Sequence, residues 1–514
     1  MKQFLIILYL ISCIISFRLL KHKCVHDQMK QKYKYKSIPP DMESLDIRNL
    51  QNKTPRNMVI TYDMSYFSRL PSHDSNKQLI GLCENALQLA IDYFSRLIKI
   101  IPKSEVNMRY KSSKCGNVVV PQIDKTNGKN SDLHLYIQYE MDLDSQYYAS
   151  ATWCQFLDGQ GPSHGLINFN FAEIVNIELT DYIEYKNLIE IIIHEITHIL
   201  GFSDDDMPKW INSKGTPYSK PTITQKIRGI DTLLLITPHV LEFARKYFNC
   251  PTLPGMPLQN LGNQSSKNSH WENTIIQNEY MNASVSMTQA YFSGFTTNLL
   301  RDTGFYAQID ESMEEQMFYG KGKGCEHVLS QCRTSTREFC DPKTDEKLCD
   351  FYHNGLATCT TSQFNDPGCN NLYTKPEYKC WDVNSDLNQN QFIERNGIYI
   401  GTDSRCFNSN LLSKKIQKKN ERMVGYCFKY ECNANGQQVT IHIQKEKIVC
   451  RNNKEKMTVQ NYQGYIECPE NIQEFCGFKK ICPNFCSGKG FCQKNKCYCI
   501  KGFSGEDCSK KQKL

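Results

Sequence analysis

Beyond residue 17 the sequence has no second apolar run, and its C-terminal "GEDCSKKQKL" is charged where a lipid-anchor signal needs a hydrophobic tail. A spanning helix needs about 20 consecutive apolar residues, so neither a later transmembrane segment nor a C-terminal anchor is expected. Charge of one sign is also scarce. The 61 Lys and Arg stand against 54 Asp and Glu, and the formal net charge of +7 is spread along 514 residues, with local clusters such as "KHKCVHDQMKQKYKYK" and "KKIQKKNER". That distribution excludes a nucleic-acid footprint. Residues 18–56 lack any sustained period of 2 or 3.6 and are interrupted by a Pro pair, as in a pro-segment or linker.

What is present begins with "MKQFLIILYLISCIISFRLLKHK", one Lys, an apolar run from Phe4 to Phe17 and then basic residues. This layout is that of a secretory signal peptide over residues 1–17, with an uncleaved anchor as the alternative. Cysteine points to the same compartment. Of 25 cysteines, 19 fall between Cys325 and Cys508, a density expected only of an oxidising environment. The protein is therefore read as secreted or extracellular.

The length allows two to four domains with a sizeable core. From Met58, "MVITYDMSYF" has the pattern of a strand, "KQLIGLCENALQLAIDYFSRLIKI" that of an amphipathic helix, and "DLHLYIQYEM" and "HGLINFNFAEI" those of further strands. A second long helix follows. The expected class is α+β, with a mixed sheet and two long helices. Expected boundaries are a pro-segment at 18–56, a first subdomain with the second long helix at 57–203, a central one at 204–322, a cysteine-rich domain at 323–478 and a terminal module at 479–510.

The second helix contains "LIEIIIHEITHILGFSDDD", with His194, Glu195 and His198 in an apolar run. Helical residues four apart project from nearly the same face, so the two imidazoles can converge on one ion. Two neutral imidazoles suit Zn²⁺, and Glu195 can reach a water held by it. H-E-x-x-H on a helix is a zinc-peptidase signature. Gly201 and Phe202 extend it, and a glycine there ends the helix and lets the chain turn. Two third ligands remain open. One is Asp204, three residues after the glycine. The other is His270 in "SHWENTIIQNEYMNAS", followed eleven residues later by Met281, a candidate methionine turn.

With His194, Glu195, His198, Gly201, Phe202, Ser203, His270, Glu279 and Met281 all in place, the chain resembles the leishmanolysin family of zinc metallopeptidases. "SATWCQFLDGQGPSHGLINFN", "LLRDTGFY" and "GYIECPENIQEFC" agree with it, and the resemblance runs from about Met58 to Cys476. It implies a metzincin-like catalytic domain, one Zn²⁺, endopeptidase activity on protein or peptide substrates, and synthesis as a latent precursor. "HKCVHD" resembles the family's prosegment motif, in which a cysteine thiolate, here Cys24, blocks the metal. Removing Cys13 and Cys24 leaves an odd number of cysteines, with Cys83 the suspected free thiol; a Cys24–Cys83 disulfide is the alternative.

The terminal spacing Cys482-x3-Cys486-x5-Cys492-x4-Cys497-x-Cys499-x8-Cys508 resembles an epidermal-growth-factor-like (EGF-like) module. A zinc ribbon would want C-x2-C pairs, which are absent. Only the resemblance favours pairing first with third, second with fourth and fifth with sixth. Such a module implies a cell-surface or matrix partner.

Other candidates have plainer readings. His134, His164, His239, His327, His353 and His442 lack ligand spacing and are expected to be satisfied polar or surface residues. Met287 in "SVSMTQAYFSGF" is a second candidate for the methionine turn, with helical packing the expected reading. Asn52, Asn263 and Asn282 lie in N-x-S/T sequons, the last inside the candidate methionine turn. "SDDD" at 203–206 is either a calcium ligand set or a solvated loop. "ASATWCQF" is either an edge strand that receives an extended peptide or an ordinary buried strand. The function expected is a secreted zinc endopeptidase with Glu195 as general base, against an inactive cysteine-rich adhesion protein that keeps the fold.

Overall fold

The structure is a computed structural model that describes residues 24–40, 54–102, 107–177, 181–262, 266–284, 289–417 and 422–512. The expected signal segment, Cys13, Asn52, Asn263 and Met287 lie outside the described residues.

Within the stretch expected to lack a helical period, α1 (His26–Tyr33) forms. Eight residues cannot hold a helix alone in water. Tertiary contact stabilises it instead, for His26, Asp27 and Met29 are buried against the domain that follows.

That domain comprises β1 (Ile60–Asp63), α2 (Asp74–Leu97), β2 (Leu133–Glu140), β3 (Ala149–Leu157), β4 (Gly161–Asn170) and α3 (Tyr182–Ile199). The sheet order is β1-β2-β4-β3, with β1, β2 and β4 parallel and β3 an antiparallel edge. Two strands stop short of the expected ends. After Asp63, whose Oδ1 accepts from Ser65 N (2.6 Å), the chain enters a 3₁₀ turn at Ser65–Arg69. After β4, Asn170 caps a helical turn at Phe171–Ile174 by accepting from Ala172 N (3.2 Å).

Helix α3 is started by Asp181, whose carboxylate accepts from Ile183 N and Glu184 N. Its Ile191, Ile192, Ile193, Ile196 and Ile199 are buried, and it packs on α2 and β3. Burying such side chains contributes roughly 1.5–3 kcal/mol each, so this helix is anchored in the core. It ends at Gly201, where φ is +128° and an added Cβ would stand 3.2 Å from Thr303 Cγ2. A larger residue would meet both backbone strain and a packed neighbour.

Beyond lie the hairpin β5 (Thr222–Ile227) and β6 (Ile230–Leu235), then α4 (Pro238–Phe248) and α5 (Gly294–Asp302). The helix expected across "SVSMTQAYFSGF" does not form in its described residues before Gly294. Tyr291 instead donates its N–H to Asn278 O (2.7 Å) and accepts from Tyr280 N (3.0 Å), pairing this segment with the methionine loop. Ser293 caps α5 through Phe295 N (3.2 Å).

The region after Cys325 is all but free of long helices. It is built on the pair β7 (Gly355–Thr360) and β8 (Asn371–Lys379) and an antiparallel sheet containing β9 (Ser404–Ser409), β10 (Val424–Cys432), β11 (Val439–Ile443) and β12 (Glu446–Cys450). Eleven disulfides join the described residues, seven of them between Cys250 and Cys476. Cys24 and Cys83 are both buried thiols, so the Cys24–Cys83 bridge does not form. The terminal segment carries β13 (Gly490–Gln493) and β14 (Lys496–Cys499). Its bridges are Cys482–Cys492, Cys486–Cys497 and Cys499–Cys508, the first-third, second-fourth, fifth-sixth pairing. It is docked on the first domain, with Phe491 edge-on to Tyr93 of α2 at 5.3 Å.

Candidate metal centre

His194 and His198 lie one turn apart on α3, and the loop after Ser266 brings His270 to them. Each ring is oriented by a backbone carbonyl. His194 Nδ1 donates to Tyr280 O (2.6 Å), His198 Nδ1 to Phe202 O (2.7 Å) and His270 Nδ1 to Ser266 O (3.0 Å). With the proton on Nδ1 in all three, the Nε2 atoms meet as acceptors, 3.0 Å apart for 194 and 198 and 3.3 Å for 194 and 270. Two acceptors cannot hydrogen-bond to each other, so these short separations call for a cation between them.

Cys24 completes the group, its Sγ 3.4 Å from His198 Nε2, and the four donor atoms lie within 4.8 Å of one another, all buried. Tetrahedral donors around one zinc, at about 2.0–2.1 Å for nitrogen and about 2.3 Å for sulfur, would stand roughly 3.3–3.6 Å apart. The donor set and its spacing fit that ion. Burial holds His194 down at about 4 and His198 well below the usual imidazole range, which keeps both neutral, the form that binds metal. Burial also pushes Glu195 well above the usual carboxylate range. Its Oε1 is 3.8 Å from Cys24 Sγ.

Asp204 is not in this group. Its carboxylate, about a third exposed, lies 3.9 Å from Lys30 Nζ, and its N–H bonds Ser269 Oγ (3.3 Å). The "SDDD" carboxylates are dispersed: Asp205 pairs with Lys30 (2.8 Å), while Asp206 accepts from Trp153 Nε1 and pairs with Lys209. Met281 is fully buried; its N–H bonds the Glu279 carboxylate and its carbonyl accepts from Trp271 N (3.0 Å). Asn282 is buried too, its side chain taken by Ile276 O and Glu279 N, which leaves no room for a glycan.

Cys24 is held in place by residues that spacing did not single out. The His26 ring stacks on His198 at 4.1 Å and its Nδ1 donates to Ala151 O of β3 (2.7 Å). Farther along, Ser269 Oγ donates to Asp27 (3.2 Å), and Ile38 bridges β3 in parallel, donating its N–H to Phe156 O (2.9 Å). β3 is thus both an edge in hydrogen-bonding terms and buried along its length, under this segment. The only sequence signal for these contacts was the position of His26 and Asp27 within "HKCVHD".

Of the remaining histidines, His239 pairs with Asp302 (2.7 Å), His327 bonds Ile275 O, His353 bonds Cys406 O and His442 lies 3.3 Å from Glu431. His134 departs from expectation. It meets Asp63 and Asp124 in a second group able to hold a metal.

Residues 76–480 match the sequence model of the family described as leishmanolysin. Among similar curated proteins, the ciliated left-right organizer metallopeptidase of Danio rerio is 29% identical over 315 residues, covering 58% of this chain and 48% of that protein. The leishmanolysin homolog of Crithidia fasciculata is 27% identical over 264 residues, 49% of this chain and 37% of that one. Leishmanolysin of Leishmania major is 26% identical over 252 residues, 48% and 39% respectively. The aligned stretches span about half or less of the length of these relatives.

Proposed function

The chain belongs to the leishmanolysin family, and from that premise we propose that it is a secreted zinc-dependent endopeptidase, with His194, His198 and His270 holding the ion and Glu195 as general base. The observation that carries this reading is the convergence of three imidazole Nε2 atoms, each ring fixed through Nδ1 by a backbone carbonyl. Zinc bound there would supply a Lewis acid that lowers the pKa of a water toward about 7 and polarises a peptide carbonyl. Glu195, next in sequence to His194 and buried, takes up a proton at its carboxylate and passes it to the leaving amine. Met281, whose carbonyl accepts from the N–H of Trp271, the residue after His270, is read as the methionine turn of the site.

Cys24 is the latency residue in this reading. Its sulfur takes the fourth position and α1 covers the approach to β3, so removal of residues 18–56 would open the site. The eleven disulfides fit an extracellular protein, and no helix among the described residues is long and apolar enough to cross a membrane. The terminal segment is read as an EGF-like module on its bridge pattern. Its docking on α2 makes it a support for the catalytic domain, and any surface or matrix partner would have to bind its outer face. The test is casein hydrolysis by mature protein before and after chelation, with zinc add-back. Loss and recovery are expected, together with loss in Glu195→Ala; hydrolysis that survives chelation overturns the proposal.

A further inference from the structure

Asp63 ends β1 and His134 lies on β2; the parallel register pairs Thr61 with His134 and Asp63 with Tyr136. Residues two apart on a strand share a face, so these four line one side of the sheet. Asp124, on the short helix Gln122–Thr126, is brought over that face by a loop that the Cys115–Cys154 disulfide ties to β3. One donor atom from each of Asp63, Asp124 and His134 lies within 4.8 Å of the others.

In each of the three, another atom is already held by the protein. His134 Nδ1 bonds Thr61 Oγ1 (2.7 Å), Asp63 Oδ1 accepts from Ser65 N (2.6 Å) and Asp124 Oδ2 accepts from Tyr136 OH (3.0 Å). Such outer hydrogen bonds orient side chains that bind metal through their remaining atom. The remaining nitrogen is His134 Nε2. It is buried, in a residue 1% exposed, and has no hydrogen-bond partner. Thr61 Oγ1 is able to accept from Nδ1, and in that tautomer Nε2 is a bare buried acceptor, costly unless something electropositive meets it.

Lys129 reaches the cluster from the side, its Nζ 2.9 Å from Asp124 Oδ1 and its side chain 31% exposed. It neutralises one of the two carboxylates without bonding His134, and together with burial it holds the imidazole in its neutral form, at about 4. We infer that Asp63, Asp124 and His134 form a second divalent-metal site, for zinc, which binds when the Lys129 ammonium withdraws from Asp124 to solvent. One imidazole with two carboxylates suits zinc, whereas calcium and magnesium take oxygen donors. With three protein ligands and a competing ammonium, the site binds more weakly than the three-histidine centre. Its effect is to pin the 107–131 loop to the first strand pair.

The test measures zinc per chain in full-length protein equilibrated with micromolar free zinc, alongside thermal melting with and without zinc. Wild type should hold more than one equivalent, and His134→Gln should fall by one while hydrolysis of casein after pro-segment removal is unchanged. Lys129→Met removes the competitor and keeps all three donors. It should bind the second zinc at least tenfold more tightly than wild type and gain a larger zinc-dependent rise in melting temperature. If Lys129→Met melts lower and zinc neither restores it nor adds a second equivalent, the cluster is a plain ion-pair network and the inference is wrong. That variant decides the matter even where His134→Gln fails to fold.

Discussion

Replacing Glu279 by alanine should cost stability out of proportion to the size of the side chain. Its carboxylate is buried and accepts from Met281 N, Ser293 N (3.2 Å), Ser293 Oγ (2.8 Å) and Thr296 Oγ1 (2.6 Å), so it staples the methionine loop to the start of α5. Four donors lose an acceptor at about 1 kcal/mol each, for a total near 4 kcal/mol. Glutamine keeps the acceptor that serves Ser293 and Thr296 but turns an NH₂ toward Met281 N–H, so its loss should be intermediate. Burial raises Glu279 from 4.5 to about 7. A carboxyl whose folded pKa lies above its unfolded one contributes most below about pH 4.5 and loses that contribution as pH rises through about 7. The alanine penalty should therefore shrink between pH 5 and pH 8, by up to about 3 kcal/mol. Urea unfolding at the two pH values suits the measurement, because Trp271, whose Nε1 donates to Thr296 Oγ1 (3.0 Å), reports on this junction. A loss under about 1 kcal/mol at pH 5, a penalty that grows with pH, or equal losses for glutamine and alanine would refute the reasoning.

Cys24→Ser in the full-length chain should raise casein hydrolysis above that of the wild-type precursor yet leave it below that of the processed protein, because His26 on His198, the Ile38 bridge to β3 and the Lys30–Asp205 pair (2.8 Å) still hold the segment over the site; no rise at all would show that Cys24 does not contribute to the block. Asp27 in its docked place is raised to about 8 by burial and by Asp204. Docking of the segment should thus be tightest near pH 4 and weaken by up to about tenfold per unit toward pH 8, a trend that trans-inhibition by a peptide of residues 24–38 would reveal and Asp27→Asn would flatten. Lys479→Met breaks a buried pair with Glu315 (2.9 Å) and a bond to Ala290 O (2.8 Å). Loss of one partner of a buried pair costs about 3–5 kcal/mol, and a melting temperature unchanged in this variant would contradict the burial described.

Helix α3 was legible because its signals are local: the isoleucine run, the spacing of His194 and His198, and Gly201 at the turn. So were β2 and α2, whose apolar periods are long. The hydrophobic period does not show α1, since its buried residues are fixed by groups more than 100 positions away, such as Ala151 and His198. Spacing alone left Asp204 and His270 level. The tertiary path separates them, with Asp204 drawn toward Lys30 and His270 toward His194, and it is this placement that the proposed ligand set rests on. The segment 289–293 was misjudged because its hydrogen bonds go to the methionine loop, a pairing that local propensity cannot register. His134 was passed over for a like reason: its neighbours Asp63 and Asp124 come from a parallel strand and a loop.

The central claim is that three imidazoles, and not two with a carboxylate, hold the catalytic ion. The most direct measurement is zinc content of the mature protein after dialysis against a weak chelator, for His270→Ala and Asp204→Ala side by side, both carrying His134→Gln so that one site is counted. Loss of zinc in the first and retention of a full equivalent in the second is the outcome expected. Retention in His270→Ala with loss in Asp204→Ala would contradict the account.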